Sequence, residues 1–167
     1  MTRFAILFLV VVTALFAAEL TAPAQHALVI PWTEGLARVS AGLVTLFDSQ
    51  VVSSGKMLQS TRSGFAVSIE AGCNGIEAAL ILIAAMLAFP APWKHRLIGI
   101  AAGLAAVQVL NVVRVVSLFY LGQWNARAFE WAHLYLWQAL IMLDVLIVWL
   151  IWIRTLPEKT ATQAHAA

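Results

Sequence analysis

The sequence predicts an all-α integral membrane protein of about four transmembrane helices, with an outer amphipathic helix and a short β-hairpin. Two observations carry that expectation. Of 167 residues, 62% are apolar and 11% charged, against roughly 45–50% and 25% in a soluble domain. The apolar residues also fall into runs near the roughly 20 residues that a bilayer core about 30 Å thick requires. Soluble, disordered and collagen-like classes are excluded on this composition. Ten Lys/Arg against eight Asp/Glu form no basic stripe, so no nucleic-acid partner is expected. The single cysteine, Cys73, rules out an internal disulfide framework and a multi-thiolate metal site, and no cofactor is implied.

The runs are Phe4 to Leu20, Gly75 to Phe89, Leu97 to Leu121 and Trp131 to Ile153. The first follows Arg3 and precedes Ala22-Pro23-Ala24, so it also reads as a signal peptide with an A-x-A cleavage site. The second is stopped by Pro90 and Pro92. Arg3, Lys94, Arg96, Arg154 and Lys159 fall on one side if the helices alternate, and that side is cytoplasmic. Trp93, Trp124, Trp131, Trp149 and Trp152 stand at the expected helix ends, where amphipathic rings favour the headgroup level. Within the outer segment, Leu36, Val39, Leu43 and Leu46 recur at helical spacing after Thr33, which predicts a helix lying on the outer leaflet. Phe65, Val67 and Ile69 alternate with Ala66, Ser68 and Glu70 behind a Ser60-to-Gly64 turn, which predicts the hairpin. Residues 1–154 read as one membrane-embedded domain and 155–167 as a disordered cytoplasmic tail.

Asn74 followed three residues later by Glu77 has the form of a capping box and starts the second helix at about Asn74. Cys73 then stands at the positive end of a helix dipole, which favours a thiolate. Its bland alternative is a small buried hydrophobe. Arg114 lies inside the outer end of the third helix, where a guanidinium is kept only if it is paired, snorkels or works. His133 opens the fourth helix at the same level, whereas His95 falls on the other side and His26 and His165 have no intramembrane context. A thiol, an imidazole and a guanidinium are the groups that acyl transfer by cysteine needs: nucleophile, base and fixed cation. Asn111 and Gln108 are expected to form a polar seam holding Arg114, and Glu77 to cap the helix or to pair with Arg114 or His133. Asp144 is some 16 Å deeper than His133 at the helical rise, and a protonated or helix-paired structural role is expected for it. Gly99 and Gly103 form a small-xxx-small packing signal.

Three segments, Glu70-Ala71-Gly72-Cys73-Asn74-Gly75-Ile76, Asn111-Val112-Val113-Arg114-Val115-Val116-Ser117-Leu118 and Ala132-His133-Leu134-Tyr135-Leu136-Trp137, resemble the exosortase/archaeosortase group of membrane-embedded cysteine transpeptidases, most closely the short exosortase H type. The resemblance runs from Arg3 to Arg154. It implies Cys73 as nucleophile, with Arg114 and His133 as its partners. Asn74 stands where many relatives have serine or threonine, and both types can cap a helix. The resemblance further implies substrates anchored by a C-terminal signal of short motif, transmembrane helix and basic tail. The motif is similar to Ile-Pro-Thr-Leu followed by Trp-Gly, and it is cut at the periplasmic face of the bacterial inner membrane. The competing reading of the residues is a non-catalytic membrane subunit or chaperone whose Arg114, Glu77 and His133 fix helix register.

Overall fold

The computed structural model describes residues 2–157. Its helices are α1 (Thr2–Glu19), α2 (Ala22–Ala24), α3 (Ile30–Thr45), α4 (Ile76–Ala88), α5 (Trp93–Trp124), α6 (Ala126–Trp131) and α7 (Trp137–Arg154). Wider π turns at Gln25–Val29 and Ala132–Leu136 join α2 to α3 and α6 to α7. Between α3 and α4 lie three short strands, β1 (Val51–Ser54), β2 (Met57–Ser60) and β3 (Ala66–Ser68). The molecule is mostly helical, as the composition requires.

Three helical runs are long and apolar enough to cross a membrane: Thr2–Glu19, Trp93–Trp124 and Ala126–Arg154. The expected fourth, α4, has only 13 residues, about 20 Å at 1.5 Å per residue, short of a full span. Its ends explain the shortfall. Gly75 at the N-cap has φ 75°, a left-handed conformation that breaks the helix, and Pro90 and Pro92 close the other end.

The expected alternation of helix directions is visible in the side chains at one end of the bundle. Phe4 of α1 stacks at 5.9 Å on Trp149 of α7 and meets Phe89, just after α4, edge-on at 6.1 Å. At that same end Trp152 Nε1 donates to the His95 carbonyl at 3.0 Å. Trp152, expected at a helix end, is thus buried in the core at that end of the bundle. Gly99 and Gly103 let α5 approach closely: a Cβ at Gly99 would lie 2.2 Å from Trp152, and one at Gly103 would lie 2.6 Å from Leu82. Thr155 and Leu156 close α7, and Leu156 is buried beside Trp152, so the expected loose tail does not begin at 155. The remainder of that segment, from residue 158, lies outside the described residues.

At the other end a small cap covers the bundle. The three strands form an antiparallel sheet in the order β1-β2-β3, with Val51 opposite Ser60 and Leu58 opposite Val67. The hairpin expected around Phe65 to Ile69 is present. The additional strand, β1, turns into β2 through Gly55 and Lys56, a two-residue connection with Gly55 at φ 55°. Val51, Leu58 and Ile69 pack with Leu36, Ala41 and Val44 of α3 and with Val115 and Phe119 of α5. Cys73 packs against this same cluster.

α3 buries one face and leaves most of the expected apolar stripe uncovered. Thr33, Leu36, Ala37, Ser40, Ala41 and Val44 face the protein, while Val39, Leu43 and Leu46 remain uncovered. The face against α5 and the sheet mixes small and bulky residues, and the outward side carries bulky ones, so the helix is apolar on two faces.

Candidate active site

The loop from Glu70 to Gly75 carries Cys73 between two glycines with positive φ, Gly72 at 82° and Gly75 at 75°. Both are conformations that side chains with a Cβ rarely adopt. At Gly75 a Cβ would also lie 2.8 Å from Gln108 Nε2 and 3.1 Å from Asn111 Nδ2, so the loop lies directly against α5. Asn74 anchors it from within. The Asn74 side-chain oxygen accepts from Ile76 N–H at 3.0 Å, and its amide nitrogen donates to Thr33 Oγ1 at 3.2 Å. Thr33 in turn donates to the Val29 carbonyl at 2.7 Å, and Trp32 Nε1 donates to the Asn74 carbonyl at 3.3 Å.

The reciprocal capping box does not form. Helix α4 starts at Ile76 with Gly75 as its N-cap. Glu77 reaches past Asn74, and its Oε1 accepts from the Gly72 N–H at 2.6 Å. Glu77 therefore pairs with neither Arg114 nor His133 and fixes the peptide on the upstream side of the cysteine.

Arg114 lies ten residues short of the end of α5, about 15 Å inward, and is 2% exposed. Its Nη1 donates to the Gly72 carbonyl at 3.2 Å and its Nη2 to Cys73 Sγ at 3.4 Å. Among the described residues the ion pair is Lys56 with Glu70, at the surface, so the buried guanidinium has no carboxylate beside it. The expected seam of Gln108 and Asn111 does not hold Arg114. Both amides abut Gly75, and Asn111, fully buried, has no hydrogen-bond partner for either side-chain atom among the described residues.

His133 completes the cluster. It lies in the π turn Ala132–Leu136, where the Trp137 N–H bonds back to the Ala132 carbonyl. A π turn widens the helix and re-aims its side chains, a device frequent at functional sites. The ring meets Phe129 edge-on at 5.6 Å and brings Nε2 to 3.1 Å from Cys73 Sγ. Sulfur, imidazole and guanidinium, drawn from one loop and two helices, thus meet at one end of the bundle. Burial pushes the Cys73 thiol above its ordinary pKa, against the pull of the Arg114 guanidinium. Burial thus works against the helix start in setting the charge of this thiol. Asp144 is remote from this cluster; its Oδ2 has no hydrogen-bond partner among the described residues, so of the two expected roles, protonated or helix-paired, the pairing is not made.

The model of the transmembrane exosortase family, of the EpsH type, matches residues 1–152. The chain belongs to that family. No curated protein and no solved structure matches it. Family membership together with several apolar helices makes this exosortase a multi-pass membrane protein.

Sequence reasoning named the three groups of the cluster but missed what holds them. Gly72 supplies the carbonyl that anchors Arg114, Trp32 and Thr33 fix Asn74, and the π turn aims His133. The Gly-Cys-Asn-Gly spacing is a usable signal, since two glycines flanking so short a segment announce positive φ. Nothing in the sequence marks the π turn.

Proposed function

We propose that this exosortase is a cysteine transpeptidase or protease that cleaves anchored proteins through an acyl-enzyme on Cys73. The observation that carries the reading is the buried Arg114 guanidinium without a carboxylate, in contact with a sulfur. A buried cation held by neutral groups alone is costly, and the cost is offset where a negative charge develops beside it. Cys73 is the group in contact that can supply that charge.

In the proposed reaction His133 Nε2 takes the thiol proton across the 3.1 Å contact, and the sulfur attacks the carbonyl carbon of the scissile peptide. Negative charge passes from sulfur to the carbonyl oxygen of the tetrahedral intermediate beside Arg114. The imidazolium then protonates the departing amine as the C–N bond breaks, leaving a thioester on Cys73. Water or an acceptor amine resolves that thioester and regenerates the thiol. The raised thiol pKa suits this order of events, because the charge appears only when substrate is present and its stabilisation is realised in the transition state.

The substrate class follows the family resemblance: a secreted protein with a short motif, a transmembrane helix and a basic tail, cut between motif and helix. The site belongs on the periplasmic side of the inner membrane, because Arg3, Lys94, Arg96 and Arg154 gather toward the opposite end. Residues 1–154 act as a single unit in this scheme, because α1 packs on α4, and α3, the sheet and α5 share one core with Cys73. Co-expression with such a substrate tests the reading. Cys73→Ala should leave the protein inserted and abolish processing, and full processing by that variant would overturn the proposal.

A further inference from the structure

The two edges of the cap's sheet differ. Helix α3 packs along β1, whereas β3 has no strand beyond it. Ser60 N–H donates to the Phe65 carbonyl and Ile69 N–H to the Lys56 carbonyl, so the backbone groups of Phe65, Val67 and Ile69 point to β2. Those of Ala66 and Ser68 point away from the sheet, because successive residues of a paired strand alternate. Among the described residues, neither Ala66 nor Ser68 has a hydrogen-bond partner for its N–H or its carbonyl.

The chemistry of this edge specifies its occupant. Donors and acceptors alternating along an extended backbone are matched by another extended backbone, the basis of peptide recognition by strand addition. Open edges are normally guarded by proline, lysine or a covering element, yet the exposed side chains here are Ala66 and Ser68, small and uncharged. The edge also runs into the cysteine loop. Val67 and Cys73 pack against the same core cluster, and Cys73 follows Ser68 by five residues, at most about 18 Å of chain. Chain direction then fixes the pairing. A peptide whose carbonyl carbon lies at Cys73 Sγ, with its upstream residues along the edge, runs the same way as β3. In such a parallel ladder the residue opposite Val67 donates its N–H to the Ala66 carbonyl and accepts from the Ser68 N–H.

We propose that the free edge of β3 is a docking strand, on which the extended segment upstream of the scissile bond joins the sheet as a fourth, parallel strand. This deepens the transpeptidase reading and rests on it. Backbone hydrogen bonds supply the affinity, so the enzyme selects an extended stretch ahead of the cut, and any folded domain of the substrate must end short of that stretch.

The test uses the full chain in liposomes with a synthetic anchored substrate whose amides upstream of the cut are N-methylated one at a time. KM should rise about fivefold or more at every second position, the period of a strand, since one net hydrogen bond is worth about that factor. On the enzyme, Ser68→Pro removes the outward N–H and leaves the bonds to β2, a place where edge strands accept proline. It should raise KM about fivefold over Ser68→Ala, which loses the same hydroxyl contact with Glu70 and keeps the N–H, with the Cys73 alkylation rate reporting an intact site. Should the proline variant fail to fold, the substrate scan decides alone. Sensitivity without the period of two, or equal KM for the two folded Ser68 variants, would overturn the proposal. A photoreactive benzoylphenylalanine at Ser68 in a Cys73→Ala background should crosslink to the stretch upstream of the cut. That crosslink, with no cleavage by wild-type enzyme, would sink the transpeptidase reading and leave the docking edge standing; cleavage with crosslinks to lipid or to the substrate helix alone would do the reverse.

Discussion

Replacement of Arg114 by lysine separates a charge requirement from a geometric one. The guanidinium makes two contacts at once, Nη1 to the Gly72 carbonyl and Nη2 to Cys73 Sγ, at 3.2 and 3.4 Å. An ammonium on a shorter stem keeps the charge but cannot reproduce the planar fork. Loss of one charge-assisted hydrogen bond costs about 1.5–3 kcal/mol, which corresponds to a rate reduction of about 10- to 150-fold. Arg114→Leu removes the cation as well and should cost about 2.7–4 kcal/mol, the scale of deleting an oxyanion donor. Neither substitution strands a buried carboxylate, since none pairs with Arg114 among the described residues, so both variants should insert normally. The assay is the initial rate of conversion of an anchored substrate in vesicles, followed by gel mobility. Turnover by the lysine variant within twofold of wild type would refute the argument from geometry.

Cys73 should alkylate with iodoacetamide more slowly at neutral pH than an unstructured cysteine peptide, because burial raises its pKa. The labelling profile should move further up in Arg114→Leu, since the guanidinium is the opposing influence; a downward move would contradict the assignment. Gly75→Ala should lower thermal stability by about 1–2 kcal/mol for the left-handed backbone alone and reduce processing further by pressing on Gln108 and Asn111, as read by melting and turnover together. Glu77→Gln keeps an acceptor for the Gly72 N–H and should retain most activity, whereas Glu77→Leu should lose it while the helices remain intact by circular dichroism. Glu70 is held below the usual carboxylate range, chiefly by its bond to Lys56 and then by Ser68. A depressed carboxylate stabilises the fold above its unfolded pKa and loses that contribution as pH falls through the folded value. Lys56→Ala should therefore flatten the acid limb of a melting-temperature profile, by a small amount because both partners are exposed.

What the sequence made legible was whatever one-dimensional pattern controls. Run length gave the long helices, alternation gave Phe65 to Ile69, and the register of helices in an up-and-down bundle placed Cys73, Arg114 and His133 at one end. What escaped depends on side-chain size and on backbone conformations that no simple period encodes. The stripe of Leu36, Val39, Leu43 and Leu46 is a good helical signature, and three of its members stay uncovered, but it does not reveal that α3 also packs inward through Leu36, Ala37, Ser40, Ala41 and Val44, a face that mixes small and bulky residues. Trp152 occupies a headgroup-like position in the sequence but fills the space left by Gly99. Asn74 and Glu77 have capping-box spacing, and the positive φ of Gly75 redirects both side chains to other partners. Asn111 and Gln108 stand near Arg114 along the helix but point at the glycine loop, a distinction that only the packing of α4 on α5 decides.

Intact-mass analysis of enzyme incubated with an anchored substrate and quenched in acid addresses the central claim most directly. The account predicts a thioester on Cys73, its added mass equal to the substrate segment upstream of the cut, lost on hydroxylamine treatment and absent in Cys73→Ser. Cleaved substrate accumulating over many turnovers, with the sulfur unmodified at every time point and the serine variant equally active, would contradict it.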